Sequence, residues 1–498
     1  MSGISRRLAV SQAQQMACRC WTICLNAYIL SLQMHQRERT GRKKVVVLPA
    51  TLIVLAVIAM LITSCTLMDS PTEHYKKGNT YYAAKQYEKA LDEYTAAISR
   101  DSRQAIIFTN RALTYNALGQ YDFAIADCNR ALAINSNFTL AYITRASAYN
   151  EMGQYSLALD DCNRAISISP RNALGYLNRA WALNATGKYE EAIKDCNRAI
   201  DIDPGLAIAY MNRAWSYNEI GLYDQALADC NKTIELDPTL PLAYVNRAWA
   251  YNQTGGYDLA IEDCNNAIEL DPNVAIAYVN RAWANLMKGR HDIAINDCNK
   301  AIELNPHLPI SYTTRAWAYF EKVSYDFTRD WLTMGMDDCD TAINLNPNFA
   351  LAYNMRAWGY ILKELYQLAI VDATKAIQLN PKFALAYTTR AWAYVNLSQW
   401  ELAIKDCDKA IELNPKLAQA YDRRAYCYYR LGDTDRALQD SNIAILIDYE
   451  MPSAYYTRAL IYVKKGEMTR ARQDVEKCIE LTDDPDLERA ARQVLTLQ

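Results

Sequence analysis

The sequence predicts an all-α fold, a solenoid of stacked helix pairs, on three observations. A unit of 34 residues recurs from residue 71 to residue 485, and a repeat of this length is typical of stacked helical arrays. Each unit has two halves in which apolar residues recur at helical spacing. Most units carry a proline at position 32, where a helix cannot continue.

The unit from Pro241 to Val274 shows this pattern clearly. Tyr244, Ala248 and Tyr251 stand at positions 4, 8 and 11, which places them on one face of a first helix. A glycine turn follows, and a second helix carries apolar residues at the same spacing. Small residues at positions 8, 20 and 27 let the two backbones approach closely. Since one helix pair cannot bury its apolar faces alone, its neighbours are expected to stack on it.

The small residues at 8, 20 and 27, the proline at 32 and the period of 34 together resemble the tetratricopeptide repeat (TPR) family. The resemblance implies a right-handed superhelix whose inner groove is lined by the first helix of each pair. It also implies that positions 2, 5, 6, 9, 12 and 13 line that groove, and that the groove holds a protein or an extended peptide.

About twelve repeats follow one another without linkers. Eleven have 34 residues, and the eighth has 41. They are 71–104, 105–138, 139–172, 173–206, 207–240, 241–274, 275–308, 309–349, 350–383, 384–417, 418–451 and 452–485. Residues 486–498 are predicted to form a capping helix with one polar face. The insertion in repeat eight predicts either longer helices or an aromatic knob around residues 325–331.

The chain before the repeats resembles a bacterial lipoprotein signal. A basic cluster at 37–44 precedes an uncharged apolar run at 45–64, which ends in Leu61-Ile62-Thr63-Ser64 directly before Cys65. The resemblance implies that Cys65 is lipidated and becomes the mature N-terminus. The proportions are ordinary if Met34 is the true start, so that 1–33 are upstream read-through or disordered and 34–64 are the signal.

The alternative is an uncleaved transmembrane helix, since twenty apolar residues can span a bilayer. Both interpretations predict a membrane-anchored protein with its repeats on the extracytoplasmic side of a bacterial envelope. Residues 65–70 are then a spacer. A net charge of −3 gives no basic field for nucleic acid.

A second periodic signal pairs position 7 with position 23. Position 7 is basic and position 23 acidic in all twelve repeats, allowing for the insertion in repeat eight. This predicts structural ion pairs between the first and second helices, because arginine bonds a carboxylate through two parallel N–H groups. An arginine track for an anionic ligand is the competing interpretation. Central members of the pattern are Arg213 and Asp229, Arg247 and Asp263, and Arg281 and Asp297.

The sequence shows no catalytic motif, cofactor motif or metal-ligand spacing. Eight cysteines stand at one position of the repeat, and the four histidines are scattered. Helix packing at roughly 8–10 Å keeps equivalent cysteines of adjacent repeats too far apart for disulfides. We therefore expect these cysteines to be small core residues, and the protein not to be an enzyme.

The candidate ligand groove carries two kinds of side chain. Position 9 is tryptophan in seven successive repeats, namely Trp181, Trp215, Trp249, Trp283, Trp317, Trp358 and Trp392. Asparagine recurs at position 6 in Asn110, Asn178, Asn212, Asn246 and Asn280, and at position 12 in Asn116, Asn150, Asn184, Asn218 and Asn252. The position-6 series resembles the asparagine ladder of the O-GlcNAc transferase repeat domain, which implies amides that grip a peptide backbone.

These rows divide the groove into two zones. Repeats two to six are rich in asparagine and suit backbone recognition, whereas repeats seven to ten combine tryptophan with aliphatic residues and suit apolar anchors. The alternative is that the tryptophans pack between first helices and the asparagines bridge them. The predicted function is a membrane-tethered scaffold for proteins or peptides. A glycan- or peptidoglycan-binding protein is the alternative, because sugars stack on aromatic rows.

Overall fold

A computed structural model describes residues 70–323, 330–482 and 484–495. Within these ranges the chain forms 25 α-helices and no strand. It divides into two compact units, Met1–Met152 and Gly153–Gln498. The predicted N-terminal signal, including the apolar run and Cys65, lies outside the described residues. In the described part of the chain, no helix is both long enough and apolar enough to cross a bilayer.

Of the helices in the described residues, five lie in the first unit and twenty in the second. Those of the first unit are α1 (Pro71–Ala83), α2 (Tyr87–Arg100), α3 (Ala105–Ala117), α4 (Tyr121–Ile134) and α5 (Thr139–Glu151). Those of the second unit, as far as repeat seven, are α6 (Tyr155–Ile168), α7 (Ala173–Ala185), α8 (Tyr189–Ile202), α9 (Ala207–Glu219), α10 (Tyr223–Leu236), α11 (Pro241–Thr254), α12 (Tyr257–Leu270), α13 (Ala275–Met287) and α14 (His291–Leu304).

Repeats eight to twelve each contain two helices, and one further helix follows them. The bounds are α15 (Pro309–Lys322), α16 (Trp331–Leu345), α17 (Ala350–Leu362), α18 (Tyr366–Leu379), α19 (Ala384–Asn396), α20 (Trp400–Leu413), α21 (Ala418–Leu431), α22 (Thr434–Ile447), α23 (Pro452–Lys464), α24 (Met468–Leu481) and α25 (Pro485–Val494). Each first helix begins at the first residue of a predicted repeat. The all-α prediction and the C-terminal helix therefore agree with the structure.

The core of each pair lies where small residues meet. In repeat six Ala248, Ala260 and Ala267 are all fully buried. Larger apolar side chains such as Tyr251, Tyr257 and Ile261 pack around them. Alanine at these positions lets the helix axes approach, and the larger residues then fill the remaining space.

In eleven repeats the turn between the two helices has a left-handed residue at position 15, whereas Val323 at that position of repeat eight is right-handed. Eight glycines take this conformation, with φ between 69° and 91°. Lys85, Glu364 and Ser398 stand at the same position and adopt φ of 56° to 58°. An L-residue is disfavoured there because its Cβ crowds the backbone.

Repeat eight fills its core differently from the others. Position 20, alanine in the other repeats, is Gly335, and position 10 of the next repeat is Gly359. A Cβ on Gly359 would collide with Sδ of Met336 and would lie 2.8 Å from Cζ of Phe320, so both side chains occupy this space. The aromatic knob predicted around 325–331 falls mostly outside the described residues. Trp331 itself is 5% exposed and stacks on Tyr319 with 5.5 Å between ring centroids, so it is a core residue.

Candidate functional site

Position-7 arginines join the two helices of a repeat and link them to the preceding repeat, as repeat six shows. Arg247 donates from Nε and Nη2 to the two carboxylate oxygens of Asp263 at 2.8 and 2.7 Å. Its Nη1 donates to Asn231 Oδ1 of repeat five at 2.6 Å. The bond to Asp263 raises the pKa of Arg247, which therefore stays charged. One side chain thus links three helices.

The same two-bond geometry recurs in ten repeats. The pairs are Arg111–Asp127, Arg179–Asp195, Arg213–Asp229, Arg247–Asp263, Arg281–Asp297, Arg315–Asp338, Arg356–Asp372, Arg390–Asp406, Arg424–Asp440 and Arg458–Asp474. In repeat one, Glu93 accepts a bond from His74 at 2.6 Å. Because each of these arginines already holds a carboxylate, the row provides a structural ladder and no open track for an anionic ligand.

The periodic cysteines are core residues. Cys128, Cys162, Cys196, Cys230, Cys264, Cys298, Cys339 and Cys407 are fully buried. Burial raises the pKa of Cys162 and Cys196 to about 12, so their thiols stay protonated at neutral pH. The described residues contain no group of three or more potential metal ligands among His, Cys, Asp and Glu.

Asparagine at position 12 bridges adjacent repeats. In Asn116, Asn184, Asn218 and Asn252, the side-chain amide donates to the main-chain carbonyl of position 6 in the next repeat, each time at 2.9 Å. Asn150, Asn184, Asn218 and Asn252 are 2–5% exposed. We predicted this row as a ligand-contacting surface. The structure corrects that interpretation for the amide donors, which are occupied within the stack, although Asn218 and Asn252 also line the cavities described below.

Asparagine at position 6 is also partly engaged in the stack. Asn246 and Asn280 donate to the position-5 carbonyls of the preceding repeats, at 3.4 and 3.2 Å. Asn110 donates to Asn79 at 2.9 Å, and Asn178 donates to a carbonyl of its own helix at 2.9 Å. Asn212 is 9% exposed. Most asparagines at position 6 therefore also form hydrogen bonds within the stack, as those at position 12 do.

The apolar residues at position 12 are buried as well. Leu286, Phe320 and Ile361 are 3–6% exposed and belong to core clusters between repeats. The aliphatic half of the predicted apolar zone is therefore core. In this zone it is the tryptophan side chains that line the groove.

All seven position-9 tryptophans are half-buried. Trp283 packs edge-on to Trp317, with ring centroids 4.9 Å apart and planes at 86°, and it lies 6.2 Å from Trp249. Trp317 Nε1 donates to Glu321 at 2.9 Å. Trp249, Trp283 and Trp317 therefore do not present parallel ring faces on which successive sugars could stack.

Four of these tryptophans line a cavity of about 470 Å³, which we call the tryptophan groove. Its walls come from the first helices of repeats six to eleven and from Tyr257. Every other lining residue stands at position 2, 5, 6, 9, 12 or 13. The lining includes Trp283, Trp317, Trp358, Trp392, Asn252, Thr314, Asn354, Met355, Glu321, Gln419 and Arg423.

The tryptophan groove contains polar groups without a partner among the described residues. They are Thr314 Oγ1, Asn354 Oδ1, Asn252 Oδ1 and Trp358 Nε1, all buried. A buried polar group that forms no hydrogen bond is costly, and native structures contain few of them. These four polar atoms include hydrogen-bond donors and acceptors, and all of them are available to bond a ligand in the groove.

A smaller cavity of about 240 Å³ lies on the first helices of repeats five to eight. Trp215, Asn218, Asn246, Trp249 and Asn280 line it. The predicted groove residues from both rows therefore meet here. Trp181 and Asn110 are not among the residues that line either cavity.

Sequence reasoning missed Asn354 and Arg423 as groove residues. It treated Thr314 and Met355 only as interruptions of the asparagine series. The available signal was that positions 5 and 6 depart from the pattern of earlier repeats in the same part of the chain where tryptophan persists at position 9.

Comparison with known families agrees with this architecture. Three family models, each described as tetratricopeptide repeat, match more than half of the chain. The matched residues are 105–138, 173–206, 207–240, 241–274, 275–308 and 384–417 for the first model, 407–439 for the second, and 74–104, 140–172 and 452–485 for the third.

The chain belongs to the tetratricopeptide repeat family. The TPR resemblance is thereby confirmed, whereas the lipoprotein signal stays a prediction. No curated protein matches the sequence.

Several solved structures are similar to this TPR chain. The APC/C hetero-tetramer Cut9–Hcn1 is 13% identical, with a TM-score of 0.49 over 84% of this chain and 95% of that one. Yeast Tom70 is 18% identical, with a TM-score of 0.38 over 86% and 95%. A tetratricopeptide repeat protein from Parabacteroides merdae is 20% identical, with a TM-score of 0.41 over 50% and 98%.

Proposed function

We propose that this TPR protein is a scaffold that holds an extended peptide segment of a partner protein in the tryptophan groove. TPR arrays are typically non-catalytic scaffolds for protein interaction. The fold alone does not identify the partner or the binding site. The observation that carries the proposal is the set of unpartnered polar groups within an apolar groove at the positions where the family holds its ligands. Nothing in the described residues favours the glycan alternative.

An extended peptide matches this lining chemically. Its backbone alternates N–H donors and carbonyl acceptors, and its side chains point alternately to two sides. Thr314 and Asn354 could bond the backbone while apolar side chains contact Trp317 and Trp358. Reorienting either polar side chain toward a ligand breaks no hydrogen bond in the described residues.

Thr314→Val tests the groove, and Thr144→Val is its matched control. Both threonines stand at position 6, are 1–2% exposed and have an unpartnered hydroxyl, but Thr144 does not line the tryptophan groove. Peptides are selected from a random phage-displayed library on the immobilised full chain in detergent micelles. Their affinities are then measured by fluorescence anisotropy.

We expect Thr314→Val to weaken binding of the selected peptides about five- to tenfold, the equivalent of one hydrogen bond. Thr144→Val should leave the affinity unchanged. Neither variant should lower the melting temperature, because each replaces an unpartnered hydroxyl with a methyl group. Failure to select any peptide, or equal loss in both variants, would contradict the groove assignment.

We also propose that the protein is tethered to a bacterial envelope membrane, with its repeats on the extracytoplasmic side. The support is the basic cluster, the apolar run at 45–64 and the position of Cys65. Metabolic labelling with an alkyne fatty acid should mark the wild-type chain and not Cys65→Ser. An unlabelled chain that retains residues upstream of Cys65 would favour the uncleaved helix, and recovery without membrane would refute both.

A further inference from the structure

Repeat four lacks a tyrosine ring that its sister repeats place against the position-7 arginine. In repeats two, three, five, eight, nine and twelve, a ring at position 4 and a tyrosine at position 11 both lie within 6.0 Å of that guanidinium. Repeat four has Leu183 at position 11. Among the described residues, Tyr176 is the one ring that approaches Arg179, at 5.7 Å. One of the two rings is therefore missing.

A cavity of about 670 Å³ lies at this place, and we call it the repeat-four cavity. Its lining includes Arg179, Leu183, Lys188, Glu191 and Lys194, none of which lines the tryptophan groove. The side chain of Arg179 is 26% exposed, whereas the other nine arginines of the structural ladder are 13–23% exposed. The shorter side chain at position 11 thus leaves the guanidinium more accessible.

Sister repeats show what fits this cavity. The lining of repeat four comes from positions 7, 11, 16 and 19, among others. In repeat six, Cδ1 of Tyr251 at position 11 lies 3.3 Å from where a Cβ on Gly256 at position 16 would be. In repeat two, the ring of Tyr115 lies 5.4 Å from that of Phe123 at position 19. The same positions that surround a phenol ring elsewhere therefore surround open space in repeat four.

The charges around the repeat-four cavity favour an acidic ligand. Asp195 accepts two hydrogen bonds from Arg179, so this carboxylate is neutralised. Lys188, Glu191 and Lys194 are exposed, and within the described ranges none of the three belongs to an ion pair. Two unpaired ammonium groups against one unpaired carboxylate give the rim a net positive charge. A ring flanked by carboxylates would match both the space and the charge.

Repeat eleven carries a side chain of this kind. Tyr449 stands at position 32, where repeats three to ten have proline, in the loop between α22 and α23. It is 68% exposed, and Leu446, three residues earlier at the end of α22, is 84% exposed. Asp448 and Glu450 flank Tyr449, and neither forms an ion pair in the part of the chain that the structure describes. The fold gives this acidic, exposed tyrosine no packing role.

We propose that Tyr449 of one copy of this chain inserts into the repeat-four cavity of a second copy. The ring takes the place beside Arg179 that the position-11 tyrosine takes in other repeats. The two carboxylates that flank the ring then lie next to Lys188 and Lys194. The contact joins two different surfaces and does not depend on the proposed peptide function. Its small size makes it a weak association.

Zero-length cross-linking tests this contact between native residues. Unlabelled and ¹⁵N-labelled full chains are mixed in detergent micelles and treated with a carbodiimide, which joins an amine to a carboxylate only where the two groups touch. Mass spectrometry then identifies the linked peptides. We expect Lys188 or Lys194 of one isotope joined to Asp448 or Glu450 of the other.

Two variants remove the contact from opposite sides. Leu183→Tyr fills the cavity, and Tyr449→Ala removes the inserted ring, so each alone should lower the yield of the link about tenfold. A mixture of the two should restore it, because one chain keeps the tyrosine and the other keeps the cavity. The restored link should run only from the Leu183→Tyr chain's carboxylates to the Tyr449→Ala chain's lysines. Leu368→Tyr, at an exposed site outside both the tryptophan groove and the repeat-four cavity, is the control and should leave the yield unchanged.

The outcomes decide between insertion and its alternatives. Absence of the mixed-isotope link in the wild type refutes the second copy as the occupant. An equal yield in all variants would show that charges alone bring the chains together, and it would overturn the insertion of the ring. If Leu183→Tyr lowers the melting temperature, Tyr449→Ala still decides the question, because an exposed loop residue should leave that temperature unchanged.

Discussion

A serine in repeat five provides a natural test of how the position-12 bridges contribute to stability. Ser216 Oγ lies 2.6 Å from Asn184 Oδ1, while the amide of Asn184 donates to the next repeat. One repeat later, Ala250 stands at the same position as Ser216, and Asn218 Oδ1 is buried without a partner. Ala250→Ser would supply the missing donor.

The magnitude follows from two opposing terms. A new hydrogen bond to a buried, unsatisfied acceptor contributes about 1 kcal/mol. Serine is less favourable than alanine in a helix by about 0.5 kcal/mol. The free energy of unfolding should therefore rise by about 0.5 kcal/mol in Ala250→Ser. Ser216→Ala, which leaves Asn184 Oδ1 unsatisfied, should lower it by about 1–2 kcal/mol.

Ala318→Ser is the matched control. Ala318 is fully buried at the same repeat position, but the preceding position 12 is Leu286, which offers no acceptor. This variant should be less stable than the wild type. Urea unfolding followed by circular dichroism gives the sign, and hydrogen exchange of repeat peptides localises it, because repeat arrays can unfold in parts. If Ala250→Ser and Ala318→Ser shift stability in the same direction, the bridge explanation is wrong.

Three further substitutions test other features of the stack. Asp263→Asn leaves Arg247 without its carboxylate and should lower the free energy of unfolding by about 3 kcal/mol, measured by urea unfolding with hydrogen exchange in repeat six. Gly335→Ala should lower it by about 1–3 kcal/mol, because the added Cβ meets the Phe320 ring, and Phe320→Leu in the same chain should restore much of the loss. Ser398→Gly should raise the free energy of unfolding by about 0.5 kcal/mol, and with it the melting temperature, since glycine adopts the left-handed turn without strain. An unchanged melting temperature would mean that the turn is unstrained.

Helix placement could be predicted from the sequence because many independent positions repeat it. Small residues, the proline at 32 and the Arg–Asp pattern all agree on the same boundaries, so no single departure changes the fold. Gly335 and Gly359 show the limit of this reasoning. Their meaning depends on the ring of Phe320, which approaches both across two repeats, and spacing along the chain does not show such contacts.

The groove residues were harder to predict for a geometric reason. Positions 6, 9 and 12 lie on one face of the first helix, and that face both lines the groove and touches the next first helix. Whether a side chain such as Asn218 bridges or binds depends on how closely the helices approach. The sequence indicated the correct face of the first helix. It did not indicate how deeply each side chain on that face is buried, so the asparagines at position 12 were predicted to contact a ligand and Arg423 was not.

The change at position 12 after repeat six connects stability with the proposed function. Asparagine there directs an amide into the next repeat, whereas Leu286, Phe320 and Ile361 replace that bond with apolar contact. In the lining of the tryptophan groove, Asn252 still bridges to the next repeat through its amide. The unpartnered polar atoms are Oγ1 of Thr314 at position 6, Oδ1 of Asn354 at position 5, Nε1 of Trp358 at position 9 and Oδ1 of Asn252 at position 12. Stacking by apolar contact therefore leaves hydrogen-bonding capacity unused, and a ligand can take it up without competing with the fold. This explains why we assign recognition to repeats six to eleven, and why Thr314→Val should change binding while the stack stays intact.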